Sequence, residues 1–236
     1  EYPLNIVIDE GSELHYKLRN IQLSSRTRNI NLVVVPKYYI AKAIAKGRSI
    51  QYFINMHVKL DRTFYVFLDD DSLLLDDNIL YEIPYYLSKD YVVCVGLITI
   101  RPGNSSLAYI IDRLRWLDDI TISRFATGLL HRPLNGVHGE LFGCTGIVLK
   151  HIGFNRKTVT EDFSFANQLD KLHYHIWQSG SHVSIRSPNS TTDLIKQRNR
   201  WWRGIKSDVQ NASFCCKLFV GTRAVSWAIA ITSTWL

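Results

Sequence analysis

The sequence predicts an α/β domain built on a mostly parallel central sheet flanked by helices, and three observations carry that expectation. Apolar runs of strand length at Leu4–Ile8, Ile30–Val35, Phe64–Leu68 and Tyr91–Ile100 alternate with stretches of helical periodicity. The run Phe64–Leu68 is apolar throughout, as strands buried on both faces are. The run Phe64-Tyr65-Val66-Phe67-Leu68 ends directly in Asp69-Asp70-Asp71, and strand ends are where open α/β sheets bind ligands.

The first strand runs into the acidic turn Asp9-Glu10-Gly11-Ser12, and the second is halted by Pro36. The stretch Ala41–Ile54 has apolar residues at helical spacing beyond Lys46-Gly47-Arg48-Ser49, which is either an anion site at a helix start or a solvated basic turn. After the acidic cluster a helix is expected over Asn78–Leu87, and another over Leu107–Leu117. Gly136–Leu149 interleaves glycines with a strand pattern, without the order of a dinucleotide fingerprint or a P-loop, and suggests close backbone approach to a ligand. Thr158–Leu169 opens with a helix cap and an acidic first turn.

Length and composition narrow the class. A chain of 236 residues can bury one substantial core, and 46% hydrophobic with 21% charged residues is neither disordered nor membrane-spanning throughout. Lys and Arg outnumber Asp and Glu by 28 to 21, for a net +7, which suits a phosphate-bearing ligand, an anionic membrane face or nucleic acid. The four cysteines have no metal-binding spacing and no disulfide pattern, which favours a reducing compartment.

Three stretches carry chemistry. Carboxylates crowded at Asp69 and Asp71 repel one another unless a cation lies among them, and Mg²⁺ or Mn²⁺ there would complete its shell with substrate phosphates; an Asp-rich turn and helix cap is the plainer reading. Thr160-Glu161-Asp162 is a second acidic cluster that a cap alone does not require. In Gln197–Lys206, helical spacing puts Gln197, Arg200 and Trp201 on one face: an amide, a phosphate-binding guanidinium and a stacking ring. The same segment could lie at a lipid interface. The apolar end from Phe214 reads as a membrane-surface or truncated transmembrane helix.

In this order, the Asp9 turn, Lys46-Gly47-Arg48, Asp69-Asp70-Asp71, Thr160-Glu161-Asp162 and Gln197-Arg198-Asn199-Arg200-Trp201 resemble the inverting family-two glycosyltransferases of the GT-A fold. Val33–Pro36, Gly96–Thr99, Arg132-Pro133-Leu134 and Arg200–Ile205 look most like those of the Egghead-type β-1,4-mannosyltransferases, with cellulose, chitin and hyaluronan synthases more distant. The resemblance implies a GT-A domain over residues 1–206, its first strand upstream of Glu1, and a membrane-associated helical segment over 207–236.

It also implies transfer of a sugar from a nucleoside-diphosphate donor, GDP-mannose by the closest likeness, to a glycan or glycolipid acceptor with formation of a β-linkage. Asp162 would be the general base, with Glu161 beside it. Asp9 would meet the nucleotide base, Lys46 the phosphates, and Asp69 and Asp71 the metal. Gln197, Arg200 and Trp201 would close over the donor, Trp201 also meeting the acceptor, and Phe142, Gly143 and Cys144 would line an acceptor channel. The expected setting is the cytosolic face of a membrane, with no nucleic-acid partner. The other readings are a membrane-tethered nucleotide- or polyanion-binding module, a metal-dependent nucleotide hydrolase and a processive synthase using a UDP-sugar.

Overall fold

The computed structural model describes residues 2–13, 15, 17, 18 and 29–233, with side chains to residue 225. Strands β1 (Leu4–Asp9) and β2 (Ile30–Val35) form a parallel pair in register from Leu4 opposite Ile30 to Asp9 opposite Val35. Helix α1 (Ala45–His57) packs against them. A second, five-stranded sheet contains β3 (Phe64–Leu68), β4 (Leu73–Leu74), β5 (Val93–Arg101), β6 (Leu141–Thr145) and β7 (Ile176–Arg186) in the order β3-β6-β5-β7-β4.

The sheet is mixed rather than mostly parallel. β5 and β7 run parallel, but β6 is antiparallel to both β3 and β5, and β4 is antiparallel to β7. A fully apolar strand reports burial on both faces, which helices on both sides provide whatever the strand directions, so the pattern could not reveal the reversal. The reversal matters for the site: Leu68 pairs with Leu141, so the carboxyl end of β3 and the amino end of β6 meet at one edge.

Alternation along the strands feeds two cores. Val93, Val95, Phe142 and Cys144 pack with Phe53, Ile54, Phe165 and Leu169 beneath α1 and α5 (Glu161–Lys171), whereas Cys94, Leu141 and Trp177 pack on the other face with Ile79 of α2 (Asn78–Leu87). α2 has the predicted bounds and accommodates Pro84. Helix α3 (Ser106–Asp118) is capped by Ser105, whose side chain accepts a hydrogen bond from Ala108 N, and continues into two π-helical turns, Asp119–Ser123 and Phe125–Leu129.

The glycine-rich run is a short strand followed by helix α4 (Gly146–Ile152), and its glycines serve packing more than ligand approach. A Cβ at Gly143 would lie 2.4 Å from the Phe64 ring, and one at Gly146 2.1 Å from the Lys59 carbonyl oxygen. Helix α6 (Thr191–Asp208), capped by Ser190, carries the basic-aromatic segment Gln197–Lys206 and continues past it to Asp208. Helix α7 (Phe214–Ser233) follows a 3-10 turn, and Cys216 enters a small third core with Ala126, Leu134 and Phe163. Among the described residues no helix is long and apolar enough to cross a membrane; the end of the C-terminal run, residues 234–236, lies outside the described residues.

Candidate active site

The reversed strand β6 brings together residues far apart in sequence. Asp69 directly follows β3, and Gly139 and Glu140 precede the strand that pairs with it. Lys46, in the first turn of α1, forms an ion pair with Asp69 and donates a hydrogen bond to the Gly139 carbonyl at 3.0 Å. A Cβ at Gly139 would come within 2.9 Å of Lys46 Nζ and 3.5 Å of Asp162 Oδ2, which places the Asp162 carboxylate in the same recess. One helix lies against the other here, since a Cβ at Gly47 would be 3.4 Å from Glu161 Cβ.

The charges in this recess hold one another away from their ordinary states. Burial, with Glu161 and Glu140 adding like charge, pushes the Asp162 carboxyl up to about 6. Burial also raises Asp69 to about 6 against the opposing pull of Lys46. Burial alone would raise Glu140, but Arg115, at 2.5 Å, and His138 override it and hold this carboxyl down at about 2. Lys46 is raised although burial opposes it, because Asp69, Glu161 and Asp162 surround the ammonium. The recess therefore contains one carboxylate, Glu140, held charged by its cationic neighbours, and two, Asp69 and Asp162, whose proton affinity burial raises.

A wall of buried ion pairs extends from Glu140. Arg115 lies over the Trp201 ring, 4.8 Å from its centroid, and Arg198 lies over the same ring at 4.4 Å. Arg198 is ion-paired with buried Asp112, whose Oδ2 has no hydrogen-bond partner. His138 is ion-paired with buried Asp119, which also accepts the Ile98 N–H at 2.7 Å. Sequence reading missed Arg115, Glu140, His138, Asp112 and Asp119. The only signal near them was the glycine-rich run, and it pointed at the glycines.

The remaining predicted residues are spread around the recess. Asp9 closes β1, where it accepts Arg48 at 2.9 Å and Ser49 Oγ at 3.2 Å from the α1 side. Asp71 is exposed, and its carbonyl accepts Arg101 at 2.6 Å. Gln197 is half-buried and accepts from Arg198 at 3.4 Å, whereas Arg200 is exposed. Thr160 does not cap α5 with its side chain. Its hydroxyl donates instead to Asp208 at 2.9 Å, as Thr158 does at 2.6 Å, tying the start of α5 to the end of α6.

The acceptor-channel placement of Phe142, Gly143 and Cys144 is corrected by the structure. Phe142 stacks on Phe67 with ring centroids 4.7 Å apart, the Gly143 backbone is pressed against Phe64, and Cys144 is fully buried. These residues fill the sheet's interior because their strand is sandwiched between β3 and β5.

Among the described residues no group of three His, Cys, Asp or Glu side chains converges to hold a metal ion. The oxygens of Asp69 and Asp71 nonetheless suit a hard divalent cation of the kind that takes one or two carboxylates and fills its shell with substrate phosphates.

Comparison with known proteins agrees with this architecture. A family model described as "Glycosyl transferase family group 2" matches residues 65–236. The β-1,4-mannosyltransferase egh of Drosophila melanogaster is 29% identical over 221 residues, 89% of this chain and 48% of that protein. The β-1,4-mannosyltransferase bre-3 of Caenorhabditis elegans is 26% identical over 223 residues, 90% of this chain and 48% of its own length. The chain thus spans about half the length of these curated relatives. A solved mannosyltransferase from Pyrobaculum calidifontis, in complex with GDP-Man and Mn2+, superposes with a TM-score of 0.63 at 11% identity, covering 94% of this chain and 59% of that one, and shares its GT-A-like fold. With the family model spanning nearly three-quarters of its length, the chain belongs to glycosyl transferase family group 2.

Proposed function

We propose that this chain is the catalytic domain of an inverting, metal-dependent hexosyltransferase that moves a sugar, mannose from GDP-mannose by its relatives, onto a glycan or glycolipid hydroxyl to form a β-linkage. The observation that carries the reading is the Asp162 carboxyl, raised to about 6 in a recess shared with Lys46 and Asp69. A base of that strength is ionised at neutral pH yet basic enough to take a hydroxyl proton as the bond to the sugar forms.

Each side chain then has a role. Lys46 meets the diphosphate, Asp9 the nucleotide base, and Gln197 and Arg200 the donor from α6. Trp201, whose ring is held by the Arg115 and Arg198 guanidinium groups, would close over the donor and meet the acceptor. Glu161 and Glu140 keep the Asp162 proton affinity high. A Mg²⁺ or Mn²⁺ ion held by Asp69 and Asp71 would neutralise charge on the leaving diphosphate. The acceptor oxygen attacks the anomeric carbon as the bond to the diphosphate breaks, and Asp162 receives the proton. One displacement inverts the centre, and no covalent enzyme intermediate forms.

The setting that goes with this reading is the cytosolic face of a membrane; glycan on Asn104, Asn189 or Asn211 in a eukaryotic host would overturn that placement. Transfer from labelled GDP-mannose and UDP-sugars to glycan and glycolipid acceptors, with and without divalent metal, tests the activity. Metal-dependent transfer with GDP-mannose preferred is expected. Hydrolysis without transfer, or binding without turnover, would overturn it.

A further inference from the structure

The outward side of α3 carries a feature that the catalytic reading does not use. Leu107, Ile110, Ile111, Leu114 and Leu117 recur at helical spacing on this helix and are all exposed, Ile110 to 63%. The buried positions Ala108 and Asp112 lie on the opposite side. Phe125, Leu129 and Leu130 continue the exposed apolar surface into the π-helical turns. A stripe of large aliphatic side chains facing water along a whole helix marks a contact surface.

The charges on the same segment are sorted by sign. Its acidic residues all turn inward: Asp112 pairs with Arg198, Asp118 with Arg223 at 2.6 Å, and Asp119 with His138. Its outward charges are Arg113 and Arg124, both exposed, with Arg113 lying over Tyr109 and Trp116. Among the described residues of α3 and the turns after it no acidic side chain is exposed.

We propose that the outer face of α3 and the turns after it seats the chain on an anionic lipid surface, with the aliphatic stripe among the acyl chains and the arginines at the headgroups. At 13 residues the helix is far below the ~20 needed to span a bilayer, so it lies in the interfacial plane. A second copy of the chain is disfavoured as the occupant, because a two-fold contact would set one basic rim against the other. The proposal shares only its membrane setting with the proposed function. Its test reads lipid binding without turnover, so either can fail alone.

The experiment is co-sedimentation of the chain with vesicles of phosphatidylcholine alone or phosphatidylcholine with phosphatidylserine. Binding to the serine-containing vesicles is expected, about tenfold weaker on the neutral ones and weakened by salt. The double variant Ile110→Glu/Leu114→Glu, and separately Arg113→Glu/Arg124→Glu, should each lose binding about tenfold with unchanged circular dichroism and melting. Tyr81→Glu, at an exposed position on α2, should bind like the parent. A parent that stays in the supernatant, variants that bind like the parent, or a lipid-free dimer that the Ile110/Leu114 variant dissolves would each overturn the proposal.

Discussion

Gly204 of α6 lies directly against Thr160 at the start of α5: a Cβ at Gly204 would stand 2.5 Å from Thr160 Oγ1 and 2.6 Å from Thr160 Cγ2. Together with the Thr158 and Thr160 hydroxyls bonded to Asp208, this contact fixes the helix carrying Trp201 relative to the helix carrying Asp162. Gly204→Ala should destabilise the fold by about 1 to 3 kcal/mol through overpacking, and lower turnover by separating the two helices. Thr160→Ala added to it removes the two closest atoms, so the double variant should melt above Gly204→Ala alone. Thermal melts of the three variants check this, and additive losses would show that the contact is not the cause.

A second expectation concerns pH. A base must be deprotonated to act, and Asp162 has a carboxyl raised to about 6, so kcat/KM should fall below pH 6, some two units above where an ordinary aspartate would fail. Glu140 contributes to that rise as a nearby negative charge. Glu140→Gln removes the charge and frees Arg115 to attract the Asp162 carboxylate, so both effects move the acid limb to lower pH. A pH–rate profile of the variant that shifts upward, or not at all, would contradict the coupling.

For the metal, Asp71→Ala should weaken donor binding while leaving the fold intact, because the Asp71 side chain is exposed and makes no internal bond among those described. Chelation should have the same effect on the parent and little further effect on the variant. Calorimetric titration with GDP-mannose, with and without EDTA, measures both. Equal affinity in all four conditions would remove Asp71 from the donor site.

How much of this was legible in the sequence depended on whether a feature is local. The helix over Asn78–Leu87 follows from apolar periodicity, and Asp69 at the end of β3 follows from an apolar run ending in acid. Strand direction is not local. The chain segment from β5 to β6 decides that Leu141 pairs with Leu68 in reverse, and the same reversal delivers Glu140 to Asp69 while sinking Phe142 and Cys144 into the interior. Arg115 looked like one more charge on an amphipathic helix, since nothing in its neighbourhood announces Glu140 as its partner 25 residues on. Thr160 was readable as a helix cap by type, but its hydroxyl had a stronger acceptor in Asp208, which only the packing of α6 on α5 supplies.

The sharpest expectation is for Asp162→Asn, because activity and stability should move in opposite directions. Asparagine keeps the side chain's shape and an oxygen for the Phe163 N–H, 2.8 Å away, but it cannot receive the acceptor's proton. Turnover should drop by about 10² to 10⁴, with donor and metal binding nearly unchanged. The folded-state pKa of about 6 lies above the unfolded value, so Asp162 favours folding when protonated, and that contribution is lost as pH rises through 6. Above pH 7 the ionised carboxylate is therefore a net cost of roughly 3 kcal/mol, at about 1.4 kcal/mol per pKa unit. Asp162→Asn removes it, so the variant should be more stable than the parent at pH 8 and equal to it below pH 4. Denaturant melts at the two pH values, set beside transfer rates, separate a base from a cap: a residue that only caps α5 would leave turnover within a few-fold of the parent.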